Sequence, residues 1–368
     1  MRVAYFTSHV FGPDFVSAPL LGKRPNPAGQ NFHEKLIKAL GKIAEVEVFS
    51  YVPLTLDLPE KDFNAFENVS YHYVRTPSSR YLRALFGPRK LYARARKIDA
   101  DVIFYDSLNR ACASSAIRLS SSLRIPAVAI LTDHPGNITG LSPAYAKSLL
   151  SLSSNASACF ALTPKLSEAF GFADKPSFVQ PILIEKEEVE PYMNKRPYIY
   201  YGGALFVKDG LKDLVEAYQK TRPDFDLLIA GHGPYENDLA KIASEDKHIL
   251  FLGQVDKRKH LSLVKGSALS INPRPYRKEI DDYAVPSKVM EYLYYAPMVA
   301  STISTPLKQA FGEDVNWIEG DLVSFFSSFF ALGAIQKKNT ASDRVISLFG
   351  LEKTSADLQE FLANLISR

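Results

Sequence analysis

Short apolar runs alternate along this chain with longer stretches whose apolar residues recur at helical spacing. Val3–Thr7 reads as a buried strand, and Asn31–Ile43 as a helix with Phe32, Leu36, Leu40 and Ile43 on one face. Val46–Tyr51, Val69–Val74, Val102–Tyr105, Ala127–Leu131, Ala158–Leu162 and Phe178–Ile184 continue the series of strands, with helical patterns between most of them. Strands that alternate with helices imply parallel sheets covered on both faces, because a parallel crossover needs a helix to make the return.

The alternation then stops and restarts. Glu185–Pro197 is charged, carries prolines and has no apolar period, so it reads as a linker. Beyond it Tyr198–Tyr201, Leu227–Ala230, Ile249–Leu252, Leu269–Asn272 and Met298–Ser301 are expected as strands. Leu211–Lys220, Tyr235–Ala243, Lys257–Lys265 and Ser287–Tyr294 are expected as helices. After Trp317 the pattern is helical, ending in an amphipathic segment over Ser355–Ile366. The predicted fold class is α/β, with two Rossmann-like doubly wound domains facing a cleft. The first spans 1–185 and the second 186–353, and the terminal helix at 354–368 is a candidate to pack back on the first. Open α/β sheets bind ligands beyond the carboxyl ends of their strands, so the site is expected there.

A length of 368 residues suits two such domains. A net charge of +4 excludes a protein that binds nucleic acid through its overall field. The two cysteines, Cys112 and Cys159, lie far apart in small or apolar surroundings and read as buried thiols rather than as a metal or disulfide framework. The N-terminal apolar run is too brief for a signal peptide and no run is long enough to span a bilayer, so a cytoplasmic location is expected.

Candidate chemistry gathers in the second half. In Tyr201-Gly202-Gly203-Ala204-Leu205-Phe206-Val207-Lys208-Asp209-Gly210 a strand ends in two glycines and a lysine precedes a helix. Glycines admit a ligand close to the backbone, and a lysine at a helix start adds to the amide dipoles as an anion site; a solvated loop lysine fits the residues equally. Gly231-His232-Gly233-Pro234 reads as a tight strand-to-helix turn, with neither a dinucleotide fingerprint nor a Walker lysine. Arg274 ends a strand at Asn272-Pro273-Arg274, as a cleft residue or a surface one. Pro286-Ser287-Lys288-Val289-Met290-Glu291-Tyr292-Leu293 opens a helix with Glu291 off its apolar face, as a site carboxylate or as a surface partner of Lys288 one turn earlier.

These segments resemble the C-terminal signature of family-4 retaining glycosyltransferases, most of all the bacterial capsule and exopolysaccharide branch. There Asn-Pro-Arg and Tyr-Ser-Phe-Pro-Ser-Lys-x-x-Glu-Tyr recur, as Asn272–Arg274 and Tyr283–Tyr292 do here. Gly202–Leu211, Leu228–Pro234 and Phe251-Leu252-Gly253 match further family elements in the same order. In the N-terminal half Ala28-Gly29-Gln30 is similar to the family's glycine loop, and His134 in Asp133-His134-Pro135 stands at its cleft histidine. The resemblance implies a GT-B fold and a nucleotide-sugar donor of UDP or GDP type. It places Gly29, Gly202, Gly203, Arg274, Tyr283 and Pro286 around the donor. It assigns Lys208 to the diphosphate with amides near Ser287 and Lys288, Glu291 to the ribose hydroxyls and His134 to the transferred sugar. Two departures stand out: Gly203-Ala204 replaces the family's frequent arginine, and Tyr283 replaces the first of its paired glutamates.

From Arg75 to Lys97 the chain has eight basic residues and no acid, interleaved with Tyr81, Leu82, Leu85, Phe86, Leu91 and Tyr92. An anionic membrane surface and an ordinary basic solvent face both fit this pattern, with single-stranded nucleic acid far behind them. A lipid-linked acceptor, as the resemblance implies, favours the membrane. The expected function is metal-independent, retaining transfer of a sugar from a nucleotide donor to a saccharide or lipid-linked acceptor, in cell-surface polysaccharide or glycoconjugate synthesis. Asp281 and Asp282 are adjacent rather than spaced as in an Asp-x-Asp metal motif. The alternatives are a nucleotide-sugar epimerase of the same fold and a non-catalytic subunit that activates a partner.

Overall fold

A computed structural model describes the chain except residues 18–26, 54–57, 59–61, 78, 139, 278–282, 284–285, 304, 332–335 and 368. The chain forms two compact units, Met1–Glu185 with Asp282–Ala284 and Phe349–Arg368, and Lys186–Asp281 with Val285–Leu348.

The first unit is built on a sheet of β1 (Arg2–Thr7), β2 (Glu45–Pro53), β3 (Phe63–Phe66), β4 (Val69–Thr76), β5 (Val102–Asp106), β6 (Ala127–Leu131), β7 (Ala158–Ala161) and β8 (Ser177–Val179). Their order is β3-β4-β2-β1-β5-β6-β7-β8. Every neighbour pair is parallel except β3 with β4. Central strands such as β6 are buried at every position, which is why they read as continuous apolar runs rather than as alternating ones. The antiparallel edge strand β3, with the sequence Phe-Asn-Ala-Phe, escaped the sequence pattern because it is short and half-exposed.

The helix Leu351–Ile366 belongs to this unit. Leu358 and Leu362 are fully buried in one cluster with Leu36, Ile37 and Leu40 of the helix Pro27–Gly41. Ser355 Oγ donates to Ala39 O at 2.9 Å, and Gln180 Nε2 donates to Thr354 Oγ1 at 2.9 Å. The helix Pro27–Gly41 also begins earlier than its apolar period suggests. Gly29 therefore lies in a helical first turn, not in a loop ahead of it.

The second unit has β9 (Tyr198–Gly202), β10 (Asp226–Ala230), β11 (Ile249–Phe251), β12 (Leu269–Asn272), β13 (Val299–Thr302) and β14 (Val315–Ile318), in the order β11-β10-β9-β12-β13-β14, all parallel. Strand β14, which carries Trp317, was not among the expected strands; Val315 and Ile318 are buried in it. Most of the linker is fastened to this unit. Glu187 N–H donates to Tyr295 Oη at 3.0 Å, Lys265 Nζ to Val189 O at 2.8 Å and Tyr192 N–H to Ser262 O at 2.9 Å. The helices Lys257–Gly266 and Ser287–Tyr295 thus hold it in place without any apolar period of its own.

Candidate donor site of the second unit

The strand order reverses direction between β9 and β12, so the crevice beyond their carboxyl ends is the topological switch point of this sheet. Gly202 closes β9 and Asn272 closes β12. The glycine turns around them support one another. Gly203 N–H donates to Ala230 O at 3.0 Å, and Gly231 N–H to Gly253 O at 2.8 Å. Gly231 has φ +150°, and a Cβ there would lie 1.8 Å from Gly203 O. The Gly231-His232-Gly233-Pro234 turn therefore serves backbone packing, which agrees with reading it as a structural turn. Gly210, at φ +79°, brings its turn against Pro273, whose carbonyl oxygen would stand 2.3 Å from a Cβ. This contact joins the Lys208-Asp209-Gly210 turn to Asn272-Pro273-Arg274, segments far apart in sequence.

Lys288 supplies the cation of this crevice. It lies in the first turn of the helix Ser287–Tyr295, and its Nζ donates to Tyr201 Oη at 3.2 Å, 4.3 Å above the centroid of that ring. A Cβ at Gly203 would sit 2.8 Å from this ammonium, so glycine is what admits it. Burial lowers the pKa of Lys288 to about 8, with Asp209 opposing the fall and Arg274 adding to it. Asp209 also pairs with Arg277 at 3.4 Å. Pro286 is the N-cap of the helix and provides no side-chain cap, so the first-turn amides by Ser287 and Lys288 keep donors for an anion.

Lys208 differs in character. It sits on the 3₁₀ turn Val207–Asp209, exposed, with Nζ 5.1 Å from the centroid of Phe206. Arg274 is half-buried, and its carbonyl accepts from Thr302 Oγ1. Glu291 is one turn beyond Lys288. Its Oε2 lies 3.5 Å from His260 Nε2, while Lys288 reaches Tyr201. The surface pair of Lys288 with Glu291 is thus replaced by two separate partnerships.

Sequence reasoning gave no role to Tyr292 or His260. Tyr292 is fully buried; its Oη accepts from Gly202 N–H at 3.0 Å and donates to Gly202 O at 3.3 Å, clamping the glycine turn. The signal was its place beside Glu291 in the signature. His260 flanks the apolar face of its helix formed by Leu263 and Val264, which was its only signal.

Three expected residues lie in the first unit. His134 caps its own turn, its Nδ1 accepting from Gly136 N–H at 3.2 Å. Burial lowers its pKa, which disfavours the charged ring. Its ring centroid is 5.0 Å from that of Tyr283, and Lys165 Nζ is 5.3 Å from the Tyr283 centroid. Around Gly29 a Cβ would meet nothing within 4 Å, so no close approach requires glycine there. Asp281 and Asp282 lie outside the described residues. Both cysteines are buried and free. Among the described residues no group of three or more His, Cys, Asp or Glu side chains is placed to hold a metal, and no helix is long and apolar enough to cross a membrane.

Residues 196–323, which contain this crevice, match the family model described as glycosyl transferases group 1. The fold is GT-B. Sucrose-phosphate synthase from Thermosynechococcus elongatus is similar over 100% of this chain and 99% of its own, with 13% identity and a TM-score of 0.72. HepE of Anabaena, solved with UDP-glucose, is similar over 99% of this chain and 100% of its own, with 14% identity and a TM-score of 0.65. The lipopolysaccharide outer core galactosyltransferase WaaB covers 98% of this chain and 99% of its own, with 13% identity and a TM-score of 0.63. No curated protein matches the chain by sequence.

Proposed function

We propose that this chain is a retaining glycosyltransferase that takes a sugar from a nucleoside-diphosphate donor. The observation that carries this reading is the Lys288 ammonium beside an uncapped helix start, over a glycine turn, at the β9/β12 switch point. Such a cluster fits a diphosphate, and the match of residues 196–323 to a glycosyltransferase family supports the sugar. HepE's complex with UDP-glucose makes a uridine donor the first to test.

When the glycosidic bond to the donor breaks, negative charge grows on the leaving diphosphate. Donors fixed in advance stabilise that charge more than water does, because they need not reorganise. Lys288 and the amides near Ser287 are placed for this role, with Lys208 approaching from its exposed turn and Arg274 adding positive field. Glu291 accepts from the ribose hydroxyls. The role of His134 toward the transferred sugar is part of the same proposal. The acceptor hydroxyl attacks on the face the leaving group departs from; the new glycosidic bond forms as the old one breaks, and a diphosphate oxygen takes the acceptor proton. No metal enters these steps.

The acceptor is proposed to be a saccharide or a lipid-linked one in cell-surface polysaccharide synthesis. The helix Arg80–Ala95 supports a membrane-facing role: Leu82, Leu85 and Phe86 are 48%, 55% and 42% exposed, beside exposed Arg89 and Lys90. Apolar side chains left in solvent among basic ones suit an anionic bilayer better than a solvent face. The decisive assay is incubation with UDP-, GDP- and dTDP-sugars and a lipid-linked acceptor pool, followed by NMR of the anomeric proton of any product. Retained configuration in a new glycoside supports the reading. An altered free sugar without acceptor identifies an epimerase, and donor binding with transfer only after a second protein is added identifies an activating subunit.

A further inference from the structure

His260 stands between a buried tyrosine of β9 and Glu291 of the crevice. Tyr200 is buried in β9, and its Oη lies 2.8 Å from His260 Nδ1. Burial raises the Tyr200 pKa well above that of a free phenol, so the hydroxyl keeps its proton. A phenol that donates to Nδ1 leaves a ring hydrogen on Nε2. Nε2 is the atom 3.5 Å from Glu291 Oε2. Tyr200 O–H then donates to Nδ1, and Nε2–H is the ring group that faces the carboxylate from 3.5 Å.

Gly202 is fitted to this chain. A Cβ at 202 would lie 2.6 Å from His260 Cε1 and 2.7 Å from both His260 Nδ1 and Tyr200 Oη. Glycine at this position therefore makes room for the imidazole and phenol rather than for a ligand, and Gly203 alone admits Lys288. The helix that carries His260 is fixed at its start, where Asp256 accepts from Lys259 N–H at 2.8 Å.

Resting on the donor reading above, we infer that His260 is a positioning residue for Glu291. It engages one carboxylate oxygen and thereby turns the other toward the ribose of the donor. A glutamate side chain has several rotatable bonds, and ordering them on binding is costly unless a neighbour has already done so. Hydrogen bonds of this kind are often long in a free enzyme and tighten when ligand arrives.

Two measurements on the full chain test this. The first is ¹⁵N NMR of the free protein, with the His260 signals assigned from His260→Gln. The Nε2–H tautomer is expected, shifted by Glu291→Gln. An Nδ1–H tautomer, or signals indifferent to Glu291→Gln, overturns the inference whatever the nucleotide does. The second is calorimetric titration with UDP, GDP and dTDP of the wild type, His260→Leu, His260→Gln, Glu291→Gln and the double variant His260→Leu/Glu291→Gln. His260→Leu is expected to weaken binding roughly 10-fold, the scale of a lost hydrogen bond to a charged group. Gln restores a donor near Nε2 and should recover most of this. In the Glu291→Gln background His260→Leu should cost less than in the wild type, because the charge that strengthens the contact is already gone. Additive losses in the double variant, with both single variants folded, overturn the inference. Wild-type protein that binds none of the three nucleotides removes the donor reading, and the role of His260 toward ribose with it, even where the tautomer is as expected.

Discussion

The ammonium of Lys288 lies 3.2 Å from the hydroxyl of Tyr201 and 4.3 Å above the centroid of the same ring. This places a cation of lowered pKa at the point where the β9 turn meets the helix start. Its electrostatics set the pH dependence expected of both stability and ligand binding.

The folded-state value is about 8, below the 10.5 of an ordinary lysine. The unfolded chain therefore binds more protons between these limits, and stability should rise with pH through that window. Binding of a diphosphate needs the charged form, so affinity should fall as pH rises through about 8. Calorimetry with UDP from about pH 7 to 9.5 reads the second effect and thermal melts the first. Lys288→Met should separate them, melting no lower than wild type while losing most diphosphate affinity.

Lys208 is exposed, so its removal should leave the fold intact. If it meets the diphosphate mainly as charge develops, Lys208→Ala should lower kcat roughly 100-fold, the scale of a lost oxyanion donor. Glu291→Gln should instead raise the donor KM more than it lowers kcat, the pattern of binding lost equally in ground and transition state. Steady-state kinetics of both variants, with circular dichroism to establish folding, distinguish these roles.

Gly231 has no room for a side chain: its φ is +150°, and a Cβ added there would stand 1.8 Å from Gly203 O. Gly231→Ala should cost about 1–3 kcal/mol from backbone strain alone. The displaced Gly203 turn should also weaken UDP binding. A melting curve and a titration on the same sample check both effects.

On the helix Arg80–Ala95, the exposed Leu85 and Phe86 and the basic Arg89 and Lys90 should act together at an anionic bilayer. Each basic residue near such a surface is worth about 1 kcal/mol, and salt screens it. Flotation with phosphatidylglycerol vesicles should fall with added salt and with Arg89→Gln/Lys90→Gln. It should also fall with Leu85→Ser/Phe86→Ser, which leaves the charge unchanged. Flotation indifferent to all of these would count against a membrane face.

The two-sheet α/β architecture was legible because strands such as β6 and β10 are buried on both faces and read as unbroken apolar runs. Strand β14 was not, because Val-Asn-Trp-Ile has no apolar run and adjoins a helical pattern. The motifs at Gly202–Gly210, Asn272–Arg274 and Pro286–Glu291 were legible as segments, but their mutual contacts were not. Sequence spacing placed Lys288 one turn from Glu291 and so suggested a pair. Only the packing of the helix against its neighbours shows the lysine turned to Tyr201 and the glutamate to His260. His260 stayed hidden because Lys-Arg-Lys-His reads as a solvated helix start.

The most direct measurement is a thermal melt of the wild type and Lys288→Met against UDP, GDP and dTDP and their sugars. A ligand bound only by the native state at about one hundred times its Kd contributes roughly 2.7 kcal/mol. The expected result is that one nucleotide raises the wild-type melting temperature by several degrees and leaves Lys288→Met unmoved. A wild type shifted by none of them, or a variant shifted as far as the wild type, would contradict a diphosphate site centred on Lys288.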